Sequence, residues 1–230
     1  MPRSIFRMIA AFIVLLVSAM PGAAQAANPY PKMASLDQYL MTDRNAEIAL
    51  AKSAAPPSIA GDAKVLVFER RGYVTAVQGK NGFVCIVERS WMGLDDTDFW
   101  NPQARSPICF NAAAARFNLP IITKRTELAL AGRSKAQIFE GMKAAFDKKE
   151  IPPLEPGSMC FMLSKQGHLN NAGGPWHPHV MFFEPLNETA AAWGGDSQGS
   201  PVITATDPSS RVTIFMIPVA KWSDGTADSR

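Results

Sequence analysis

The sequence predicts an α+β protein in which helices are inserted between two groups of strands. Strand-like segments rich in Val, Ile, Phe and Tyr occupy residues 64–88, helix-like segments follow within 111–147, and strand-like segments return within 158–217. Strands, then helices, then strands are typical of α+β proteins and differ from the regular alternation of a βαβ protein. We therefore expect one antiparallel sheet built from an N-terminal meander and C-terminal strands.

The first 26 residues have the composition of a cleavable Sec-type signal peptide. Arg3 and Arg7 precede an apolar run over residues 8–17, and Ala24-Gln25-Ala26 fits a cleavage site. The apolar run is shorter than the roughly 20 residues that a membrane-spanning helix needs. We predict cleavage after Ala26, no transmembrane anchor, and a soluble protein in the periplasm or outside the cell. Residues 27–230 then form a single domain.

The charge balance excludes several classes of protein. The chain has 23 Lys and Arg against 20 Asp and Glu, and two of the basic residues belong to the predicted leader. A nearly neutral mature chain without a basic stripe does not fit a nucleic-acid-binding protein. A hydrophobic content of 47% also excludes a disordered chain.

Capping and turn residues predict the N-terminal elements. Ser35 and Gln38 fit a capping box, and a helix restarting at Asp43 ends near Ser53, before a Pro-Pro pair. Three short strands follow, and the turn residues at 79–82 predict that the second and third form a hairpin. The three predicted strands are Lys64–Glu69, Tyr73–Gln78 and Phe83–Glu88.

The central and C-terminal elements follow from the same signals. Asn111 caps a predicted helix over 112–117, and a second helix over 120–131 stops at Gly132. Ser134 and Gln137 fit another capping box, which opens a helix with an apolar stripe. The predicted C-terminal strands are Ser158–Leu163, His179–Glu184, Pro201–Thr206 and Arg211–Ile217, the last with two apolar faces and so central in the sheet.

The three histidines indicate a possible metal site. His177 and His179 flank a proline, which favours extended backbone and places both imidazoles on one face. His168 precedes them across a Gly- and Asn-rich loop that can fold back. Two imidazoles with the thioether of Met181, which follows on the same face, suit copper, and two imidazoles with a third ligand suit zinc. The alternative is that these side chains only begin an edge strand, for which a proline is also typical.

The three cysteines allow one disulfide in an oxidising compartment. We expect Cys85–Cys109, because this bridge would clamp the loop over 89–108 onto the sheet, and Cys160 would then be a buried free thiol. The alternative is a thiol hydrolase. Cys109 precedes a helical segment and His179 begins a later strand, an order that resembles papain-like cell-wall peptidases. That resemblance implies Cys109 as the nucleophile and His179 as its partner.

A G-x-S-x-G motif at residues 195–199 is better explained as a flexible loop. An α/β-hydrolase requires a histidine after the serine, and none follows Ser197. A trypsin-like protease requires an early histidine, whereas the histidines here lie about twenty residues before Ser197.

Several longer stretches carry a family resemblance. They are residues 81–91 (NGFVCIVERSW), 127–137 (ELALAGRSKAQ), 176–183 (WHPHVMFF) and 221–226 (KWSDGT). Together they resemble an uncharacterised family of exported bacterial proteins with no assigned activity. The resemblance implies an exported single-domain protein and identifies no catalytic residue.

The sequence favours an exported protein that binds a small molecule or an envelope partner, and it leaves open whether the protein is an enzyme. A zinc or copper protein is the second hypothesis and a thiol hydrolase the third. We expect the site around His177, His179 and the loops 164–176 and 193–200, with Trp176 and Trp193 as walls of a pocket.

Overall fold

One eight-stranded sheet organises the described part of the chain. The computed structural model describes residues 28–93, 98–169, 174–186, 189–195 and 197–229. The strands are β1 (Lys64–Glu69), β2 (Gly72–Val77), β3 (Val84–Glu88), β4 (Ser106–Phe110), β5 (Met159–Met162), β6 (His179–Pro185), β7 (Ile203–Asp207) and β8 (Val212–Pro218). Their order is β2-β1-β3-β4-β5-β6-β8-β7, with helices between the two groups, so the α+β class is confirmed. The predicted signal peptide over 1–26 lies outside the described residues.

The N-terminal segment contains less helix than the sequence predicts. Helix α1 (Arg44–Lys52) begins as predicted at Asp43, whose side chain accepts a hydrogen bond from the backbone N–H of Asn45. The segment after Ser35 forms only one 3-10 turn, because its N-cap hydroxyl makes no bond to the backbone. Pro57 opens a short helix α2 (Pro57–Ala60), since proline at the first helical position gives up no hydrogen bond.

The predicted meander is wrong at the third strand. β1 and β2 form an antiparallel hairpin, but β3 pairs with β1 in parallel, on the side away from β2. The turn residues at 79–82 therefore carry the chain beneath the start of β1 and do not close a hairpin. Lys80 N–H donates to the Asp62 carbonyl, and Asn81 Nδ2 donates to the Ile59 carbonyl. Gly79 is required there, because a Cβ would collide with the backbone nitrogen of Lys64.

Two helices connect the two groups of strands. The predicted pair of helices after Asn111 is a single helix, α3 (Ala112–Leu130), and Pro120 lies inside it. The proline removes one N–H donor, but buried side chains on both sides of it, such as Phe117 and Ile121, hold the helix against the core. The capping box at Ser134 is confirmed and opens α4 (Lys135–Asp147).

The sheet separates two apolar layers. Val65 and Val67 face α1 in one cluster, and Val84 and Ile86 pack with residues of α3 in another. The predicted disulfide Cys85–Cys109 is present and joins directly opposed positions of β3 and β4, at the base of the loop over 89–105. No helix among the described residues is long and apolar enough to cross a membrane.

Candidate functional site

Four neighbouring strands bring polar side chains to one end of the sheet. β3 ends at Glu88, and β4 begins opposite it at Ser106. In the next pair of strands, β5 ends at Met162, and β6 begins opposite it at His179. Because neighbouring antiparallel strands run in opposite directions, the last residues of β3 and β5 and the first residues of β4 and β6 lie at the same end of the sheet. Side chains from distant parts of the sequence therefore come together there.

These side chains lie on the face of the sheet that α3 covers. Side chains alternate between the two faces, so Glu88 shares the face of Ile86 and Val84. Directly opposed residues also share a face, which places Ser106 beside Glu88. Val84 and Ile86 place apolar side chains on the inward face of β3, and Glu88 places a carboxyl group at the next inward position.

A cavity of about 230 Å³ lies beside Glu88. At the volume that a water molecule takes up in the liquid, it has room for roughly eight non-hydrogen atoms. Its walls combine hydroxyl and carboxyl groups with thioethers. Glu88, Ser90, Asp98 and Ser106 supply the hydroxyl and carboxyl groups, Arg89 is also a lining residue, and Met92 and Met162 supply apolar surface.

Glu88 is a half-buried acid without a hydrogen-bond or ion-pair partner in the part of the chain that the structure describes. Among the described residues, no hydrogen bond or ion pair reaches its carboxyl oxygens. Burial raises the pKa of Glu88 from an ordinary value near 4.5 to about 7, and the Arg125 guanidinium offsets only part of that effect. Removing a carboxylate from water without compensation costs free energy, so an arrangement of this kind is typical of functional sites.

Ser90 is a second polar group whose hydrogen-bonding capacity is unused. It is 7% exposed, and in the described part of the chain its Oγ has no hydrogen-bond partner. A 3-10 turn over Ser90–Met92 holds it, because the neighbouring Trp91 is fully buried and donates its Nε1–H to Thr126 Oγ1 at 3.1 Å. A buried hydroxyl without a partner is uncommon in native proteins.

Two buried ion pairs fix the surroundings of the cavity. Arg89 Nη2 lies 2.9 Å from Glu47 Oε1, and both side chains are almost fully buried. Arg125 Nη2 lies 3.0 Å from Asp207 Oδ2, and Arg125 Nη1 also donates to the Met92 carbonyl. Each guanidinium thus has its own carboxylate, so neither forms an ion pair with Glu88.

The predicted histidine pair is held by other contacts. His177 Nδ1 lies 2.5 Å from Asp228 Oδ2, near the end of the chain. His179 is buried and its Nδ1 lies 2.7 Å from the His177 carbonyl oxygen, so Nδ1 carries the proton of a neutral ring. Burial lowers the pKa of His179, which favours that neutral form. Trp176 packs against both imidazole rings.

The histidine region has almost no free volume. The space lined by Trp176, His177 and His179 is about 10 Å³, about enough for one water molecule at most. His168 is bound through its backbone to Arg105 and does not line that space. Among the described residues, no three His, Cys, Asp or Glu side chains form a group able to hold a metal ion. A zinc or copper site on these histidines thus stays a prediction.

The remaining predicted site residues are dispersed. Cys109 is bonded to Cys85, so its sulfur is not available as the nucleophile that a thiol hydrolase needs. Cys160 is free and buried, and burial raises the pKa of its thiol. Ser197 lies in an exposed turn. Trp193 stacks on Phe215, on the sheet face opposite His179, so it does not wall a pocket with Trp176.

Parts of the two predicted loops lie outside the described residues, namely 170–173 and 196. The described part of the first loop contributes Leu169, which lines both the Glu88 cavity and the small histidine space. The predicted site and the cavity are therefore neighbours. Sequence reasoning missed Glu88, although its inward position after Val84 and Ile86 was visible in the alternation of the strand.

A larger groove lies between α4 and the turn that follows β6. Its volume is about 640 Å³, and Phe139, Lys143 and Arg211 are among its lining residues. Lys143 and Arg211 both form ion pairs with Asp147, and Glu140 also lines the groove, so its two basic groups lie near two carboxylates. We therefore place the candidate site at Glu88.

No protein-family model matches the chain, and the comparisons with curated proteins and with solved structures give no match either. The function must accordingly be argued from the geometry of the site.

Proposed function

We propose that this is an exported protein that binds a small molecule in the cavity beside Glu88. The observation that carries the proposal is a carboxyl group inside a cavity without any protein partner among the described residues. A bound molecule would supply the missing partner. Ser90 also lines the cavity, and its buried hydroxyl has no hydrogen-bond partner among the described residues.

The surroundings of the cavity support a preformed site. The disulfide joins β3 to β4 just before Glu88 and just after Ser106, and the Arg89–Glu47 pair holds the adjacent backbone. Sites on strands held by such contacts keep their geometry without a ligand. The cavity is small, so the part of a ligand that it encloses is limited to roughly eight non-hydrogen atoms.

Export is the second part of the proposal. The leader-like residues 1–26 support it, and the disulfide is consistent with it, because such bridges persist in oxidising compartments.

A ligand-observed NMR screen tests the proposal. The protein recovered after export is mixed with small amines, alcohols, sugars and carboxylates, and the hits are repeated with Ser106→Leu, which adds bulk to the cavity wall. Thr75→Leu on the exposed side of β2 is the matched control. We expect hits that Ser106→Leu loses and Thr75→Leu keeps. A screen without hits, or hits that both variants keep, would contradict the proposal.

A further inference from the structure

We propose that the ligand of this cavity carries a protonated amino group that binds the Glu88 carboxylate, with an apolar body against the two methionines. This inference rests on the proposed function and names its ligand class. Two carboxyl groups, Glu88 and Asp98, line the cavity. An ammonium group donates charge-assisted hydrogen bonds to a carboxylate, and these are roughly twice as strong as hydrogen bonds between neutral groups.

The guanidinium groups near Glu88 pair with other carboxylates, so a ligand can supply the cation that binds Glu88. Arg125 on α3 lowers the pKa of Glu88, but its Nη2 pairs with Asp207 and its Nη1 donates to the Met92 carbonyl. Its Nε is buried and has no hydrogen-bond partner among the described residues. Arg89 lies one residue further along and therefore on the opposite face, where it pairs with Glu47. Among the described residues, neither Arg89, which also lines the cavity, nor Arg125 forms an ion pair with the Glu88 carboxyl group.

The other titratable groups near Glu88 do not change this conclusion. Arg105 donates to the carbonyl groups of Pro102 and Ala104 and is not a lining residue. Cys160 on β5 is a buried neutral thiol whose pKa burial and the Glu88 charge both raise. Asp98 accepts a hydrogen bond from the neutral Asn101 side chain.

The methionine side chains of the cavity wall favour an apolar group in the part of the ligand that lies away from the amino group. Met92 and Met162 contribute flexible thioethers, which adapt to flat or branched apolar groups and pack well on aromatic rings. A compact aromatic or branched amine matches both the apolar wall and the volume of about 230 Å³.

Calorimetry with three molecules of one carbon skeleton tests the charge of the ligand. Benzylamine, benzyl alcohol and benzoate are titrated at pH 7 into the wild-type protein and into Glu88→Gln, which keeps the side-chain shape. We expect benzylamine to bind about tenfold or more tightly than the alcohol, with benzoate weakest. In Glu88→Gln that preference should fall about tenfold. Benzylamine should also release a fraction of a proton, because an ammonium group favours the ionised form of Glu88.

Two cavity variants separate failure of this inference from failure of the proposed function. Ser106→Leu and Leu169→Trp fill the cavity from different sides, and circular dichroism checks that each is folded. If the alcohol or benzoate binds as tightly as the amine and both variants abolish it, the amine inference is wrong and the site stands. If none of the three molecules binds, the amine inference is wrong, and the wider NMR screen decides the proposed function. If molecules bind but filling the cavity changes nothing, both proposals are wrong.

Discussion

Replacing Glu88 by glutamine should stabilise the protein, and by an amount that grows with pH. The folded-state pKa of Glu88 is about 7, against about 4.5 for an ordinary glutamate. Between these values the folded chain keeps a proton that the unfolded chain releases. The free energy of unfolding therefore falls as pH rises from about 4.5 to about 7. Glutamine cannot ionise, so the variant lacks this fall in the free energy of unfolding.

The difference between the two pKa values sets the magnitude. It corresponds to at most about 3 kcal/mol, fully developed only above the folded-state pKa. At pH 4 both the folded and unfolded chains are largely protonated at this position, so the variant and the wild type should differ little. At pH 8 the variant should be the more stable by up to about 3 kcal/mol.

Urea unfolding of both proteins from pH 4 to pH 8.5 measures this effect, with the disulfide intact. All other titrating groups are shared, so their contributions cancel in the difference between the two curves. A difference that stays constant across this range, or a glutamine variant that loses stability relative to the wild type as pH rises, would refute the half-buried, unpartnered state of Glu88.

Three further sets of substitutions test contacts that stabilise the fold. Glu47→Gln should cost about 3–5 kcal/mol in urea unfolding, because it leaves Arg89 buried without its carboxylate, and a loss under 1 kcal/mol would contradict that buried pair. Replacing both Cys85 and Cys109 by serine should cost about 3 kcal/mol, as expected for a bridge with a sequence separation of 24. Gly79→Ala should cost about 1–3 kcal/mol, since its Cβ meets the backbone of β1, and an unchanged midpoint would argue for a simple hairpin at that position.

Local signals predicted most of the elements, and tertiary contacts decided how they connect. The turn residues at 79–82 were visible in the sequence, but the same residues serve a hairpin or a crossover. The choice depends on hydrogen bonds to Ile59 and Asp62, which are distant in sequence. Pro120 likewise indicated a helix boundary, and only the packing of α3 on the sheet shows why the helix continues.

The candidate site was predicted less well for a related reason. Residue type directed attention to His177 and His179, whose side chains are occupied by Asp228 and by backbone. Glu88 resembles the solvated end of a strand until Ser106 and the turn after β3 enclose it. Its environment, and hence its raised pKa, is created by residues that the sequence does not place beside it.

A carbon-13 NMR titration of the Glu88 carboxyl group tests the central claim most directly. The assignment comes from the signal that Glu88→Gln removes. We predict a pKa of about 7 in the free protein, falling when benzylamine is added in excess. A Glu88 signal that titrates near its ordinary value of 4.5, and that no small molecule shifts, would contradict the account.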